Sequence, residues 1–382
     1  MIKGKKQELT EKLGIKYFKR LNKRKISDRI DEQTYLLDAK ERENIFRIGK
    51  QTVVNAFIIG IVSSAITTFI LFWYGKELYK LSDYFLRENI KLVTMIIAAS
   101  VITSLFEMIF LFFDTLNKTH KITKAAHFEL FPQKDKESFI ARSIARAALE
   151  LPNPQKSEIN INPRKEAIKT KIVIAGIAYK MKVSLTNVLF KILLKKMLGK
   201  AISRAYLSVI SIPVVAIWNS YEAWRVVKEI KIRVLGPSAI AEMSSEFQHI
   251  YSKLSREAKL QVLRAISSAI MATEDLHPNL EYLYINMKKK VRISIEDEVV
   301  DSTELFLERI KDLTKLEQRF ILYVLEFSAI IDGRLKHKEK ELLKAAFNIA
   351  GFEYNLQKTE RALLRFKKGQ LVNLSFVYDE GK

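Results

Sequence analysis

The chain has 382 residues, no cysteine, and 65 Lys and Arg against 43 Asp and Glu, a net charge of +22. The absence of cysteine excludes a disulfide scaffold, a thiolate metal site and a cysteine nucleophile. The basic excess surrounds the most apolar part of the chain, since residues 114–239 carry +14 and residues 240–382 only +1. That location favours anionic lipid over nucleic acid as the partner of the basic charge.

Residues 1–50 are polar and place Leu13, Tyr17, Phe18 and Leu21 at helical spacing. They predict a basic N-terminal arm in the cytosol, either a docked helix or a solvated, partly ordered segment. We expect no secretory signal peptide, because the first apolar run follows these 50 residues and is longer than a signal sequence. That run should therefore stay in the mature protein as an anchor.

Two long apolar runs predict a transmembrane hairpin over residues 51–113. Residues 52–74 contain no charged side chain, and residues 92–113 contain one, Glu107. Each run exceeds the roughly 20 helical residues that cross a bilayer core. The connector 75–91 is too short for a domain, so the two spans should be antiparallel, with both ends on one side of the membrane.

The charges that flank the hairpin predict its orientation. Lys and Arg number four in residues 37–51 and three in 114–128, against four in the connector. This bias, with the strongly basic segment that follows, indicates that the ends of the hairpin lie in the cytosol. We therefore expect a multi-pass protein of the inner (cytoplasmic) membrane with both termini cytosolic.

Polar residues inside the hairpin are the first candidate site. Pairing Thr52 with Phe113 places Glu107 at the depth of Ile58, about one turn from Asn55. An ionisable group inside a span is costly and is usually functional. Three interpretations stay open: Glu107 bonds Asn55 and holds the helices together, it carries ions or protons, or its carboxyl group reaches the membrane surface.

Small residues on the first span predict close helix packing. Gly60, Ser64 and Thr68 are spaced by four residues and form one stripe. Such a stripe lets two helix backbones approach each other closely. We expect this packing within the hairpin.

A mixed linker with a short amphipathic helix (114–167) precedes a basic, apolar block (168–237). Residues 168–235 hold 13 Lys and Arg but only two acidic residues. Residues 184–200 predict an amphipathic helix in the plane of an anionic membrane, or one packed on the protein's own core. The lysines that share its basic face are Lys191, Lys195, Lys196 and Lys200.

Residues 205–221 contain no charged side chain and include Pro213. They predict a buried or interfacial helix that is kinked at the proline. Trp218, Tyr221 and Trp224 should then lie at the level of the lipid headgroups. A third or re-entrant span is the alternative, because 17 residues is near the lower limit for crossing.

Gly236-Pro237 should end the basic block. From there to Lys382 the pattern is that of a soluble helical bundle, with polar faces and near-neutral charge. Residues 315–331 and 336–350 form a predicted helix pair, joined by the turn Asp332-Gly333-Arg334-Leu335.

The segment FILYVLEFSAIIDGRLKHKEKELLKAAFNIAGF (320–352) resembles the core helix pair of TerB-like domains of the tellurite-resistance type. The family is all-helical and is associated with membrane-linked stress response in bacteria. The resemblance implies that Asp332 and Glu339 hold a divalent metal. The basic residues 334–338 oppose a metal here, and the alternative is that Asp332 only caps the helix turn.

A second resemblance is to a group of uncharacterised bacterial membrane proteins. It covers about 70 residues of the basic block and supports a membrane location. The matching residues are Pro213, Trp218-Asn219, Arg225, Glu229, Arg233 and Gly236-Pro237.

Together these patterns predict an all-α protein: a two-span transmembrane hairpin, basic membrane-associated helices, and a C-terminal soluble helical bundle. The sequence contains no phosphate-binding loop, nucleophile elbow or dense histidine cluster, and we expect no enzyme activity and no cofactor other than the metal. The favoured function is a membrane-tethered scaffold or sensor that presents the bundle to a cytosolic partner, with homo-oligomerisation left open. The alternative is a small oligomeric channel or transporter subunit that uses Glu107.

Overall fold

A computed structural model describes residues 2–22, 37–78, 90–126, 139–149, 151, 159, 161, 204–291, 298–370 and 372. The described residues form helices joined by turns and contain no β-strand, which confirms the all-α class. A single 3-10 turn, Tyr251–Lys253, follows the fifth helix below. The helices are α1 (Ile2–Asn22), α2 (Ala39–Leu78), α3 (Ile90–Ala125), α4 (Phe139–Ala148), α5 (Arg204–Ile250), α6 (Arg256–Thr273), α7 (Pro278–Val291), α8 (Thr303–Ile310), α9 (Lys315–Ile330), α10 (His337–Ile349) and α11 (Leu356–Lys367).

The chain divides into two compact units. The first unit comprises Met1–Ile45, Ile122–Ala167 and Glu229–Lys382, and the second comprises Phe46–Lys121 and Ile168–Lys228. This division differs from the expected boundary at residue 237, because eight residues before Pro237 already belong to the first unit.

Helix α5 does not end at Gly236-Pro237, contrary to the sequence prediction, but continues to Ile250. Proline inside a helix removes one backbone hydrogen bond and clashes with the preceding turn. Packing in the first unit stabilises the helix at this point. The side-chain amide of Asn279 donates to the carbonyl of Ile232, at 2.9 Å, one turn before Gly236.

Helix α6 forms the centre of the first unit and packs against α7, α8, α9 and α10. Its apolar residues Leu263, Ile266 and Ile270 are fully buried. Ser255 caps its first turn by accepting a hydrogen bond from the backbone of Ala258. The predicted helix pair is confirmed as α9 and α10, which also contact each other.

The N-terminal arm contains a docked helix rather than a solvated segment. Helix α1 packs against α4, with Phe18 and Ile144 fully buried. Arg146 of α4 forms an ion pair with the largely buried Glu11 of α1. This docking places the described part of the arm in the first unit.

The second unit has large apolar side chains on its outside. Phe69 and Trp73 of α2 are 63% and 65% exposed, and Phe110 of α3 is 63% exposed. Among the described residues, one helix, Ala39–Ile70, is long and apolar enough to cross a membrane, and 22% of its most apolar stretch is buried. A soluble protein would bury such side chains, so this surface suits lipid rather than water.

Helices α2 and α3 are antiparallel. Asn55 of α2 donates to Asp114 of α3 at 3.0 Å, and Lys118 donates to Gln51 at 3.3 Å. The pairing is displaced by about one helical turn from the register that joined Thr52 to Phe113. These two polar pairs lie beside one end of the apolar stretch of α2 and define the register. The pattern of apolar residues alone does not specify it.

Candidate functional site

A cluster of ionisable side chains surrounds the turn between α9 and α10. We call it the turn cluster; it comprises Glu229, Arg233, His277, Asp332 and Glu339. Three separate elements supply it: α5, the connection before α7, and the α9–α10 turn with the start of α10. All five residues belong to the first unit, and four of them are at most 6% exposed.

The turn itself is held by Gly333. Its φ of +77° lies in the left-handed region that favours glycine. A Cβ atom at this position would also lie 2.6 Å from Cδ1 of Ile232, so α5 packs directly on the turn. The same turn brings Arg334 to 3.9 Å from Glu229 of α5.

Asp332 and Glu339 each accept a backbone hydrogen bond at the turn. The carboxylate of Asp332 accepts a 2.7 Å hydrogen bond from the backbone of Arg334. Glu339 accepts one of 2.7 Å from the backbone of Lys336. Asp332 therefore holds the turn, and Lys336, rather than Asp332 as expected, is the N-cap residue of α10. The second oxygen of Glu339, Oε1, is buried and has no hydrogen-bond partner.

Burial raises the proton affinity of both carboxyl groups of the turn. Burial, followed by the negative charge of Asp332, raises the pKa of Glu339 to about 8. Burial also raises the pKa of Asp332, although the charge of His277 and the Arg334 backbone oppose the rise. Near neutral pH the pair therefore holds a proton, which relieves the repulsion between two buried carboxylates.

The pKa of Glu229 is lowered, whereas that of Glu339 is raised. Its Oε1 atom lies 3.2 Å from Nε2 of His277 and accepts a 2.9 Å hydrogen bond from Nε of Arg233. Burial favours the neutral acid, but the hydrogen bond and charge of His277, with the charge of Arg233, lower the pKa of Glu229 well below its ordinary value. Glu229 is thus ionised and fixed, and it forms the anionic side of the turn cluster.

Arg233 and His277 connect this carboxylate to other elements. Arg233 donates to the backbone carbonyl of Ser143 in α4, at 2.6 Å. The backbone N–H of Asn279 donates to Nδ1 of His277, at 3.2 Å, and Nε2 of the same ring faces Glu229. These polar contacts join α4, α5 and the connection before α7.

The structure brings the predicted metal ligands Asp332 and Glu339 together. Within the described residues, no group of three or more His, Asp or Glu side chains could hold a metal ion. The buried, unpartnered Oε1 atom of Glu339 suits a ligand, but the positive charges of Lys336 and Arg334 lie close by. A proton suits the pair at neutral pH, and metal binding stays a prediction of the TerB-like resemblance.

The second unit holds a separate polar pair. The buried carboxyl of Glu107 accepts a 2.6 Å hydrogen bond from the side chain of Asn219, in α5. The amide of Asn55, the partner considered for Glu107 in one of the three interpretations, donates to Asp114. Glu107 instead bonds a third helix, which the hairpin prediction left out of the packing around it.

The close approach predicted for Gly60 also involves this helix. A Cβ atom at Gly60 would lie 2.8 Å from the backbone of Ala216 in α5. The small residue therefore permits contact between α2 and α5 rather than only within the hairpin. The lipid-facing lysines Lys191, Lys195, Lys196 and Lys200 lie outside the described residues.

Sequence reasoning did not identify Arg233, His277 or Asn219 as site residues. Glu229 and Arg233 are four apart on a helix, a spacing that indicates an ion pair but not its burial. His277 comes immediately before Pro278, the first residue of α7, and belongs to no recognisable motif. Asn219 is the one amide side chain in the run 205–221, which is a usable signal.

No family model, curated protein or solved structure matches this chain. The TerB-like resemblance therefore rests on residues 320–352 alone.

Proposed function

We propose that the protein is a membrane-tethered scaffold or sensor that presents its first unit, a TerB-like helical bundle, to a cytosolic partner. The observation that carries this proposal is the contrast between the two units. The second unit turns Phe69, Trp73 and Phe110 outward, whereas the first unit encloses α6 in an apolar core. One unit suits lipid and the other suits water.

The proposed topology is a multi-pass protein of the cytoplasmic membrane. Helices α2 and α3 form the hairpin, and both termini lie in the cytosol. The excess of Lys and Arg on the flanks of α2 and α3, and the +14 charge of residues 114–239, support this orientation. One helix that could cross a membrane, Ala39–Ile70, is found among the described residues.

Anionic lipid is the proposed partner of the basic block. Each lysine near an anionic surface contributes about 1 kcal/mol. A fragment of residues 168–240 should float with anionic vesicles. Flotation should weaken when salt is added, or when the four lysines Lys191, Lys195, Lys196 and Lys200 are changed together to glutamine. Flotation that neither change affects would favour packing of this helix on the protein's own core.

The turn cluster is the proposed sensing element. Glu339 holds a proton near neutral pH, and the loss of that proton would place a second negative charge beside Asp332 in a buried turn. A change of pH, or a cation that replaces the proton, would therefore alter the packing of the α9–α10 turn against α5.

An in-cell labelling experiment tests the scaffold function. A promiscuous biotin ligase is fused after Lys382 of the full-length chain, and the same ligase on an unrelated two-span hairpin is the control. A scaffold should label a defined set of cytosolic proteins that the control does not label. Identical labelled sets would contradict the proposal.

The alternative, a channel or transporter subunit, is favoured by one observation. Glu107 is 2% exposed and bonded to Asn219 within the unit that has the apolar exterior. Buried ionisable groups in such surroundings often lie on ion paths. Ion flux in liposomes that is lost on Glu107→Gln, with the protein still folded, would support the channel over the scaffold.

A further inference from the structure

The N-terminal half of α5 packs along α2 within the second unit. The hydroxyl of Ser220 donates to the carbonyl of Val53 at 3.3 Å, and Ala216 lies against Gly60. Moving backward along α5 therefore moves forward along α2, so the helices are antiparallel.

Polar groups on α5 are paired inside this packing. Asn219 is 5% exposed and donates to Glu107, which is 2% exposed. Val215 and Ala216 are buried on the same face. An amide that meets a buried carboxyl group from a neighbouring helix is the usual way in which polar residues join helices inside a bilayer.

The opposite face of α5 is open and changes in character along the helix. Pro213 and Ile217 are exposed first, followed by Tyr221 and Trp224, and then by Lys228. The order is apolar, aromatic, cationic, over about 22 Å at 1.5 Å per residue. A helix that leaves the hydrocarbon core through the headgroup layer shows the same order.

The aromatic part of this face carries cations. The rings of Tyr221 and Trp224 are stacked with centroids 6.0 Å apart. Lys228 lies 5.3 Å from the centre of the Trp224 ring, and Arg225 lies 5.8 Å from that of Tyr221. Aromatic rings with adjacent positive charges suit a layer where apolar chains give way to anionic phosphates.

We infer that Pro213–Trp224 is a third membrane-embedded helical segment, whose outer face contacts lipid and whose Trp224–Lys228 end lies at the cytosolic headgroups. Twelve residues of helix advance about 18 Å, which is more than half the thickness of a bilayer core of about 30 Å. The outer face is continuous in character with the exposed apolar side chains of α2 and α3. The inference rests on the proposed membrane anchoring and goes beyond the two-span hairpin.

The natural absence of cysteine provides a direct test. Single cysteines replace Ile217 and, as a matched control, Lys228, in the full-length protein in native membranes. The protein itself leaves 62% of Ile217 exposed, so only lipid can shield a thiol there. Maleimides react with the thiolate, which requires contact with water. Pro213→Cys repeats the test at a second exposed position if one variant folds poorly.

In inside-out vesicles, a membrane-impermeant maleimide should label Lys228→Cys at least ten times faster than Ile217→Cys or Pro213→Cys. All three should react fully after denaturation in SDS. Labelling of Ile217→Cys within twofold of Lys228→Cys, in protein that sediments with membranes, would overturn the third helix while leaving the anchoring intact. Protein that alkaline carbonate releases from membranes would instead overturn the anchoring.

Discussion

The side chain of Asn279 occupies the space that a side chain at Gly236 would need. A Cβ atom at position 236 would lie 2.3 Å from Cγ of Asn279. The amide of Asn279 donates to the carbonyl of Ile232 in α5 and to that of Ile331 at the end of α9, both at 2.9 Å. Gly236 therefore lets one amide connect two helices.

Gly236→Ala should destabilise the protein despite the better helix propensity of alanine. In a free helix the change stabilises by about 0.5–1 kcal/mol. Here the added methyl group must displace Asn279, and we expect a loss of about 2 kcal/mol in the free energy of unfolding. Urea denaturation of the detergent-solubilised protein measures the change.

The double variant Gly236→Ala/Asn279→Ala supplies the control. Asn279→Ala alone removes two buried hydrogen bonds and should cost about 1–3 kcal/mol. Because the clash disappears when the amide is removed, the double variant should lose less than the sum of the single losses. Additive losses, or a stabilising Gly236→Ala, would show that the two residues do not compete for space.

The bundle should need the start of its α5 segment to be stable. Ile230, Ile232 and Val234 are at most 4% exposed, and Ile232 packs on Gly333. Burial of one such side chain contributes about 1.5–3 kcal/mol. A fragment of residues 229–382 should therefore melt at a higher temperature than 238–382, as calorimetry can show. Equal melting temperatures would place the true boundary at Pro237, where the sequence predicts it.

Local patterns predicted the helix pair α9–α10 and its Asp332-Gly333 turn. Each depends on residues close in sequence, so spacing and turn chemistry are sufficient. The contacts of Asn279 and His277 with α5 join residues about 50 apart, and no periodicity encodes them. The length of α5 has the same explanation. The local signal Gly236-Pro237 predicts a break, whereas hydrogen bonds from distant residues stabilise the helix beyond this point.

The stability of the bundle should fall as pH rises through the region of the Glu339 pKa. The folded-state pKa of about 8 lies above the ordinary value of 4.5, so the folded protein binds a proton more tightly than the unfolded chain. This stabilisation is complete below about pH 4.5 and is lost as pH rises through 8, by at most about 1.4 kcal/mol per pH unit. Glu339→Gln keeps an acceptor for Lys336 but cannot ionise.

Melting temperatures between pH 6 and pH 9 test this expectation. The wild-type melting temperature should decrease across the range, and that of Glu339→Gln should decrease less. Parallel curves for the two proteins would mean that Glu339 is already ionised at pH 6 and that the buried proton is absent.

A divalent ion at Asp332 and Glu339 would have to replace the proton of Glu339. Ion binding should therefore raise the melting temperature more at pH 8.5 than at pH 6.5. A chelator should reverse the rise, and Asp332→Ala should abolish the response while costing about 1 kcal/mol through the lost hydrogen bond from the Arg334 backbone. A wild-type melting curve that neither added Mg²⁺, Ca²⁺ or Mn²⁺ nor EDTA changes would remove the metal from the account.

The hairpin illustrates a different limit of the sequence. Apolar length predicted α2 and α3 as antiparallel helices, and the polar pair Asn55–Asp114 was not foreseen because Asp114 follows the apolar run. The partner of Glu107 lies 112 residues away, in α5. The sequence left a third span over residues 205–221 open but gave no sign that it contacts Glu107.

Topology is the most direct test of the central claim that a membrane unit holds the bundle in the cytosol. The reporter is a dual enzyme that is active as a phosphatase outside the cytosol and as a β-galactosidase in the cytosol. It is fused after Lys382 in one protein and inserted in residues 79–89, between α2 and α3, in another. We predict cytosolic activity at Lys382, extracytosolic activity between the helices, and resistance of the full-length protein to carbonate extraction. Cytosolic activity at both positions, with release by carbonate, would contradict the account.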